Sequence, residues 1–135
     1  MKRKSIKFCL KSNKISEKEI QNSILHYLAT RKDVFCWQND SVGIYDPVKK
    51  CYRISFNRYK IKGVSDILGI ADTGQMIAIE VKSKIGRLSE EQALFLKKIQ
   101  DMGGIACVAR SIEDVKEALS ELEINRPIYY NAQLT

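Results

Sequence analysis

The sequence predicts an α/β domain in which a mixed central β-sheet is flanked by helices. Apolar residues recur at helical spacing in some segments and form short runs in others, so the predicted order is helix, strands, hairpin, helix, strand and helix. The chain has 135 residues, 44% of them hydrophobic and 29% charged, which is typical of one folded domain. We expect residues 15–135 to form that domain and residues 1–14 to form a basic N-terminal arm.

The first predicted helix lies within residues 15–32. Ser16 followed by Glu19 three residues later is a capping box, which marks the start of a helix. The apolar residues of this segment follow the spacing of one helical face, and they are Ile20, Ile24, Leu25, Tyr27 and Leu28.

The middle of the chain is predicted to be mainly β-structure. Residues 33–39, DVFCWQN, are rich in β-formers and predict a strand. Residues 41–56 predict a hairpin whose turn lies around residues 46–50. A basic loop, residues 58–63, leads into a second hairpin, residues 66–84, which has apolar strands.

The C-terminal part returns to helices. A helix is predicted within residues 86–104, capped by Ser89 and ended by two glycines. Residues 105–109, IACVA, predict a short buried strand, and residues 111–123 predict another capped helix. The tail, residues 126–135, fits either an edge strand or a loose end.

The charge of the chain favours a polyanionic partner. Lys and Arg number 23 against 16 Asp and Glu, and six basic residues with no acid lie in the first fourteen positions. Such an arm gains affinity for nucleic acid by releasing counterions, although a solvated terminus explains it equally well. The sequence has no signal-peptide pattern and no run of about 18 apolar residues. We therefore expect a cytoplasmic protein without a membrane span.

The cysteines and the histidine do not indicate a zinc site or a nucleophile. The cysteines have no CxxC spacing and no neighbouring histidine, so we expect reduced thiols that act as small apolar residues. The one histidine, His26, lies within a predicted helix and is expected to be a packed or surface residue. The four cysteines are Cys9, Cys36, Cys51 and Cys107.

Three charges stand in the apolar hairpin of residues 66–84. If residues 72–74 form a three-residue loop whose glycine is left-handed, Asp66 falls opposite Glu80. Side chains alternate along a strand, so Lys82 shares the face of Glu80. A two-residue turn would shift the register and separate the two carboxylates. The opposite face is apolar and can be buried against helices; it carries Ile67, Ile77, Ile79 and Val81.

Two interpretations of these charges are open. Carboxylates that face each other repel unless a positive charge lies between them, and a divalent cation with oxygen ligands meets that need. The alternative is a salt-bridge cluster of Asp66, Glu80 and Lys82. The flanking residues are apolar, so this cluster would be partly buried, where an ion pair adds little net stability. The spacing favours the metal site.

Three segments of the chain resemble the virus-type replication-repair nuclease (VRR-NUC) family, a branch of the PD-(D/E)XK nucleases related to Holliday junction resolvases. The segments are GVSDILGI, IAIEVKSKIGRLSEEQALFL and GGIACVARSIEDV. The similarity extends from about residue 19 to residue 119. Ser65 stands where the superfamily has proline, an exchange usual in this branch. The resemblance implies a restriction-endonuclease-like core with a mixed central sheet.

The resemblance also implies roles for the residues of the hairpin. Asp66 and Glu80 would be metal ligands together with the backbone carbonyl of Val81, and Lys82 would be the catalytic lysine. The implied cofactor is Mg²⁺, with Mn²⁺ able to substitute. These roles suit phosphodiester hydrolysis, which needs an activated water and stabilisation of charge on the phosphoryl oxygens.

Two further residues match motif positions of the family but also have structural explanations. The family places the glutamate equivalent to Glu19 near the metal and the glutamine equivalent to Gln92 beside the catalytic lysine. Glu19 also completes a capping box with Ser16, and Gln92 stands at the same position after Ser89. One residue can serve both roles.

Basic residues near the hairpin are candidates for binding the nucleic-acid backbone. Lys62, Lys84 and Arg87 flank the predicted site and could bind phosphates, although a solvated charged surface explains them equally well. Trp37 is expected to be a core residue and not a stacking platform.

These observations predict a Mg²⁺-dependent DNA endonuclease. Members of the family this short resemble homodimers that cut four-way junctions during replication, repair or recombination, because paired strands need two symmetric sites. A nonspecific nuclease or nickase is the nearest alternative. A catalytically silent nucleic-acid-binding module is the alternative from another class, and RNA is disfavoured only by the resemblance.

Overall fold

The computed structural model describes residues 14–40, 44–53 and 57–124. The order of its elements is the predicted one. The three helices are α1 (Glu17–Thr30), α2 (Glu90–Asp101) and α3 (Ile112–Ile124). The six strands are β1 (Val34–Gln38), β2 (Ile44–Asp46), β3 (Cys51–Arg53), β4 (Ile67–Ala71), β5 (Met76–Val81) and β6 (Ile105–Ala109).

Four of the strands form a mixed sheet in the order β1-β4-β5-β6. The β1–β4 and β4–β5 pairs are antiparallel, whereas β6 runs parallel to β5 after the α2 crossover. The strands β2 and β3 form a separate two-stranded ribbon. The structure therefore confirms an α/β fold with a mixed sheet flanked by helices.

The sheet has one fully covered face. Helices α1 and α3 pack on this face and on each other. The side chains of β5 that point to it, Ile77, Ile79 and Val81, are at most 1% exposed. The helices contribute the other half of this core, namely Ile20, Ile24, Leu28, Val115, Leu119 and Leu122.

The other face is covered only in part. Helix α2 packs against β5 and β6, where Ala78, Leu96 and Ala106 form a smaller apolar cluster. Phe35 and Trp37 of the edge strand β1 point to this face but are 72% and 39% exposed. The prediction that Trp37 is a core residue is therefore wrong, because α2 leaves β1 uncovered.

The predicted starts of α1 and α2 and the predicted end of α2 are confirmed. Ser16 with Glu19 and Ser89 with Gln92 form reciprocal capping boxes at the starts of α1 and α2. Gly103 follows the end of α2 with a φ of 87°, a left-handed conformation that favours glycine.

Some predicted segments fall where nothing is described. Residues 1–13 of the predicted basic arm and the predicted tail, residues 126–135, lie outside the described residues. Within the described part, no helix is both long and apolar enough to cross a membrane.

The described cysteines are free thiols. Cys36 and Cys107 pack against the larger core, and burial raises their pKa values to about 11 and about 12. Cys51 lies exposed on β3, and Cys9 lies outside the described residues. His26 is exposed on α1.

Candidate active site

The register of the β4–β5 hairpin brings two carboxylates together. Ile67 pairs with Ile79, so the next residues outward along the two strands, Asp66 and Glu80, lie opposite each other. The register follows from the turn, because the Ala71 amide donates to the Gln75 carbonyl at 2.9 Å and Gly74 has a φ of 85°. The predicted three-residue loop is therefore confirmed, and with it the facing carboxylates.

Glu80 is a buried acid whose two oxygens differ in their surroundings. Its side chain is 2% exposed. Oε1 accepts a hydrogen bond from the Gln92 side-chain amide at 2.8 Å and lies 3.6 Å from Nζ of Lys82. Oε2 is buried and has no hydrogen-bond partner. Burial, and after it the charge of Asp66, raises the pKa of Glu80 to about 7.

Asp66 is fixed by backbone groups on both sides. Its Oδ2 accepts a hydrogen bond from the Val81 amide at 2.9 Å, which ties the carboxylate to β5. Its backbone carbonyl accepts from the Asn39 amide at 2.7 Å, which ties it to the end of β1. The Asn39 side-chain amide also donates to the Ser65 carbonyl at 3.3 Å. Asn39 therefore positions the segment that carries Asp66.

Lys82 lies beside Glu80, on the face that alternation predicts. Its side chain is 13% exposed, and its backbone amide continues the sheet by donating to the Ala109 carbonyl at 3.0 Å. Its single positive charge lies near Oε1 of Glu80 and leaves Oε2 without a partner. The ion pair between Lys82 and Glu80 therefore leaves one oxygen of the Glu80 carboxylate without a partner.

The residues present fit a divalent cation. Two facing carboxylates, one with a buried oxygen that lacks a donor, form an anionic oxygen cluster of the kind that hard cations prefer. Among the described residues, no three His, Cys, Asp or Glu side chains are grouped closely enough to hold a metal ion. Mg²⁺ commonly binds one or two protein carboxylates and keeps several waters, so a pair such as Asp66 and Glu80 is compatible with this ion.

Glu19 is not grouped with this pair. Its carboxylate accepts hydrogen bonds from the Ser16 amide and hydroxyl at 2.8 and 3.1 Å, and these bonds lower its pKa. The carboxylate of α1 that contacts the end of β5 belongs to Glu17, whose Oε1 accepts from the Ser83 amide at 3.2 Å. The contact of Glu17 with the sheet could have been predicted from the sequence. Glu17 stands three residues before the buried Ile20 and therefore lies on the side of α1 that faces the core.

Gln92 caps α2 and also contacts the buried carboxylate of Glu80. Its Oε1 accepts from the Ser89 amide at 2.9 Å as part of the cap, and its Nε2 donates to Glu80. The start of α2 therefore fixes one oxygen of the buried carboxylate.

The predicted phosphate-binding residues are exposed on two loops next to the hairpin. Lys62 precedes Gly63, whose φ of 75° and close approach to the α2 backbone leave no room for a side chain. Lys84 and Arg87 lie on the loop between β5 and α2. That loop is tied down at Ser83, whose carbonyl accepts from the Arg110 guanidinium.

Comparison with known proteins identifies one family. A family model described as the VRR-NUC domain matches residues 46–113, half of the chain. The matched segment contains Asp66, Glu80, Lys82 and Gln92 but not α1. No curated protein and no solved structure matches the chain.

Proposed function

Because the chain belongs to the VRR-NUC family and so carries a nuclease domain, we propose that it is a Mg²⁺-dependent endonuclease that hydrolyses phosphodiester bonds in DNA. The observation that carries this proposal is the pair of facing carboxylates, Asp66 and Glu80, with one buried oxygen that lacks a donor. Such a pair is unfavourable in the free protein and is compensated when a cation binds.

The proposed cation ligands are Asp66, Glu80 and the backbone carbonyl of Val81, with Mn²⁺ able to replace Mg²⁺. When bound, the cation would lower the pKa of a water molecule and offset charge on the phosphoryl oxygens. Asp66 is already oriented by the Val81 amide, and Glu80 by the amide of Gln92. These contacts fix the ligand oxygens before the cation arrives.

Lys82 is the proposed catalytic cation of the protein itself. Its ammonium group lies 3.6 Å from Oε1 of Glu80 and its side chain is 13% exposed, so we expect it to reach a phosphate bound at the site. In that position it neutralises charge that develops on the phosphoryl group or holds the nucleophile in place. Gln92 positions Glu80 and does not need to contact the substrate.

The proposed substrate is branched DNA, with four-way junctions cut by a homodimer. The formal net charge of +7 supports a polyanionic partner, and Lys62, Lys84 and Arg87 are exposed next to the site. A role in replication, repair or recombination within the cytoplasm is part of the same proposal.

The test incubates the full chain with supercoiled plasmid, linear duplex and synthetic four-way junctions in Mg²⁺, Mn²⁺ or EDTA. We expect metal-dependent cleavage that is fastest on the junctions and is lost in Asp66→Ala and Lys82→Ala. Lys97→Ala is the matched control, because Lys97 is exposed on α2 and pairs with Asp101 instead.

Two outcomes would contradict the proposal. Cleavage that persists in EDTA, or in either site variant, would exclude the proposed mechanism. Tight DNA binding without metal-dependent cleavage of any substrate would instead indicate a silent binding module.

A further inference from the structure

The β2–β3 ribbon is separate from the main sheet and presents large side chains to solvent. Tyr45 and Tyr52 are partners across the ribbon, with ring centroids 5.3 Å apart, and are 52% and 67% exposed. Val48, in the turn, is 88% exposed. Single exposed apolar residues are common, but a pair of exposed rings together with an exposed valine on one short ribbon makes the ribbon a candidate contact surface.

The turn of the ribbon is held by the side chain of Asp46. Oδ1 of Asp46 accepts hydrogen bonds from the amides of Val48 and Lys49 at 2.9 and 3.2 Å. Oδ2 of the same side chain pairs with Nε of Arg53 at 2.6 Å, and Asp46 is 9% exposed. One carboxylate therefore folds the turn and also joins it to β3. Isolated ribbons of three-residue strands are marginal in water, and this contact network offsets that weakness.

The charge of the ribbon and of the loop after it is strongly positive. Residues 44–65 contain six basic residues and one acid, Asp46, which pairs with Arg53. The guanidinium of Arg58 stacks over the ring of Tyr59, which is 80% exposed. Basic groups interleaved with exposed aromatic rings are complementary to nucleic acid, where phosphates and bases alternate. The six basic residues are Lys49, Lys50, Arg53, Arg58, Lys60 and Lys62.

The segment that carries the ribbon begins and ends at the candidate active site. It leaves the sheet at Asn39, whose amide binds the carbonyl of Asp66, and it returns to the sheet at Asp66 itself. The first strand of the ribbon begins at Ile44, five residues after Asn39. Five residues of extended chain span at most about 18 Å, so Ile44 lies within that distance of Asn39. A nucleic acid bound at Asp66 therefore passes within reach of the ribbon.

We propose that the β2–β3 ribbon is a DNA wedge that inserts Val48 between base pairs at a branch point, with Lys49 and Lys50 on the flanking phosphates. The proposal rests on the proposed nuclease function, which identifies the polyanion as DNA. A two-stranded ribbon fits the major groove, and apolar side chains of DNA-binding proteins unstack base steps. Unstacking costs least where a branch has already interrupted the stack. The wedge thus gives the active site a preference for branched DNA.

The first test measures base unstacking directly, in EDTA so that no cleavage occurs. The probes are a four-way junction with 2-aminopurine at the branch and a linear duplex that carries it at the same sequence position. We expect the full chain to raise the fluorescence of the junction and to leave the duplex nearly unchanged. Val48→Ser should abolish the rise and weaken junction binding about tenfold, with duplex binding changed less than about twofold.

Two controls separate the wedge from other effects. Met102→Ser replaces another apolar side chain, 90% exposed but at the far end of α2, and should leave the fluorescence rise intact. Lys49→Ala and Lys50→Ala should each reduce the slope of log affinity against log salt by about 0.9. Since Val48 and both lysines are exposed, unchanged thermal melting should verify that the variants fold.

Three outcomes decide the proposal. A Val48→Ser variant that retains the fluorescence rise and the junction preference would overturn the wedge, even if the wild type cleaves as proposed. A Val48→Ser variant that binds DNA normally but no longer self-associates in sedimentation would overturn it in favour of a contact between copies of the chain. Unstacking by a wild type that cleaves no substrate in Mg²⁺ would support the wedge and contradict the nuclease function instead.

Discussion

The two faces of strand β5 carry opposite kinds of residue. On the face covered by α1 and α3, Ile77 and Ile79 are at most 1% exposed and belong to the larger apolar cluster. On the face shared with α2, Ala78 is followed by the buried Glu80 and then by Lys82. Successive side chains point to opposite faces, so one strand can stabilise the fold with one set of residues and hold charges with the other. The comparison predicts that substitutions on the two faces separate activity from stability.

The largest effect is expected from Glu80→Gln, which keeps the shape of the side chain and removes its charge. Cleavage should fall on the order of 10³-fold, equivalent to about 4 kcal/mol, because a proposed metal ligand is lost. In EDTA at pH 8 the same variant should be more stable than the wild type by about 1–3 kcal/mol, because burial and Asp66 both disfavour the Glu80 charge. Single-turnover cleavage and urea unfolding measure the two changes.

An exposed acid of α2 provides the control for Glu80→Gln. Glu90→Gln removes an exposed acid from the first turn of α2 and should change both quantities little. If Glu80→Gln instead destabilises the protein by several kcal/mol, Glu80 is a structural residue and the contrast between the two faces fails.

The opposite face should give the reverse result. Ile79→Ala should lower the free energy of unfolding by about 2–5 kcal/mol, because it leaves a cavity between the sheet and the helices. The cleavage rate per folded molecule should stay near that of the wild type at temperatures well below the melting transition. The matched control is Ile70→Ala, since Ile70 is 47% exposed on the uncovered part of the sheet and should cost less than about 1 kcal/mol. Equal losses at the two positions would mean that the uncovered part is buried in solution.

Two variants at the start of α2 separate the effect of capping on stability from the effect of the Glu80 contact on cleavage. Ser89→Ala removes the cap alone and should cost about 1 kcal/mol of stability with little change in cleavage. Gln92→Ala removes the cap contact and the donor to Glu80, so it should show a similar stability loss and a further 10- to 100-fold loss of cleavage. Urea unfolding and single-turnover cleavage should be measured on both variants. Equal cleavage by the two would show that Gln92 acts only as a cap.

Sequence reasoning succeeded where one local rule decides the outcome. The register of the hairpin follows from strand alternation and from Gly74, which alone among the turn residues accepts the left-handed conformation without strain. The exposure of Trp37 could not be predicted from the sequence. How much of the sheet α2 covers depends on tertiary packing and not on the residue pattern of β1. The position of Glu17 could have been predicted, since its spacing from Ile20 and Ile24 places it on the same side of α1 as these buried residues. The family resemblance instead implied a metal role for Glu19, whose carboxylate is held in the capping box with Ser16.

The smallest effect is expected from Glu19, and it tests the remaining role that the family resemblance implies. Glu19→Ala should behave like Ser16→Ala, because the two side chains form one capping box: each should cost about 1 kcal/mol of stability and leave cleavage within about twofold of the wild type. The measurements are the melting temperatures and cleavage rates of the two variants. Both variants lose the same cap, so any difference between them is not due to capping. A tenfold loss of cleavage in Glu19→Ala that Ser16→Ala does not share would mean that Glu19 leaves its cap to reach the metal. The first turn of α1 would then contribute to the active site as well as to the stability of the fold.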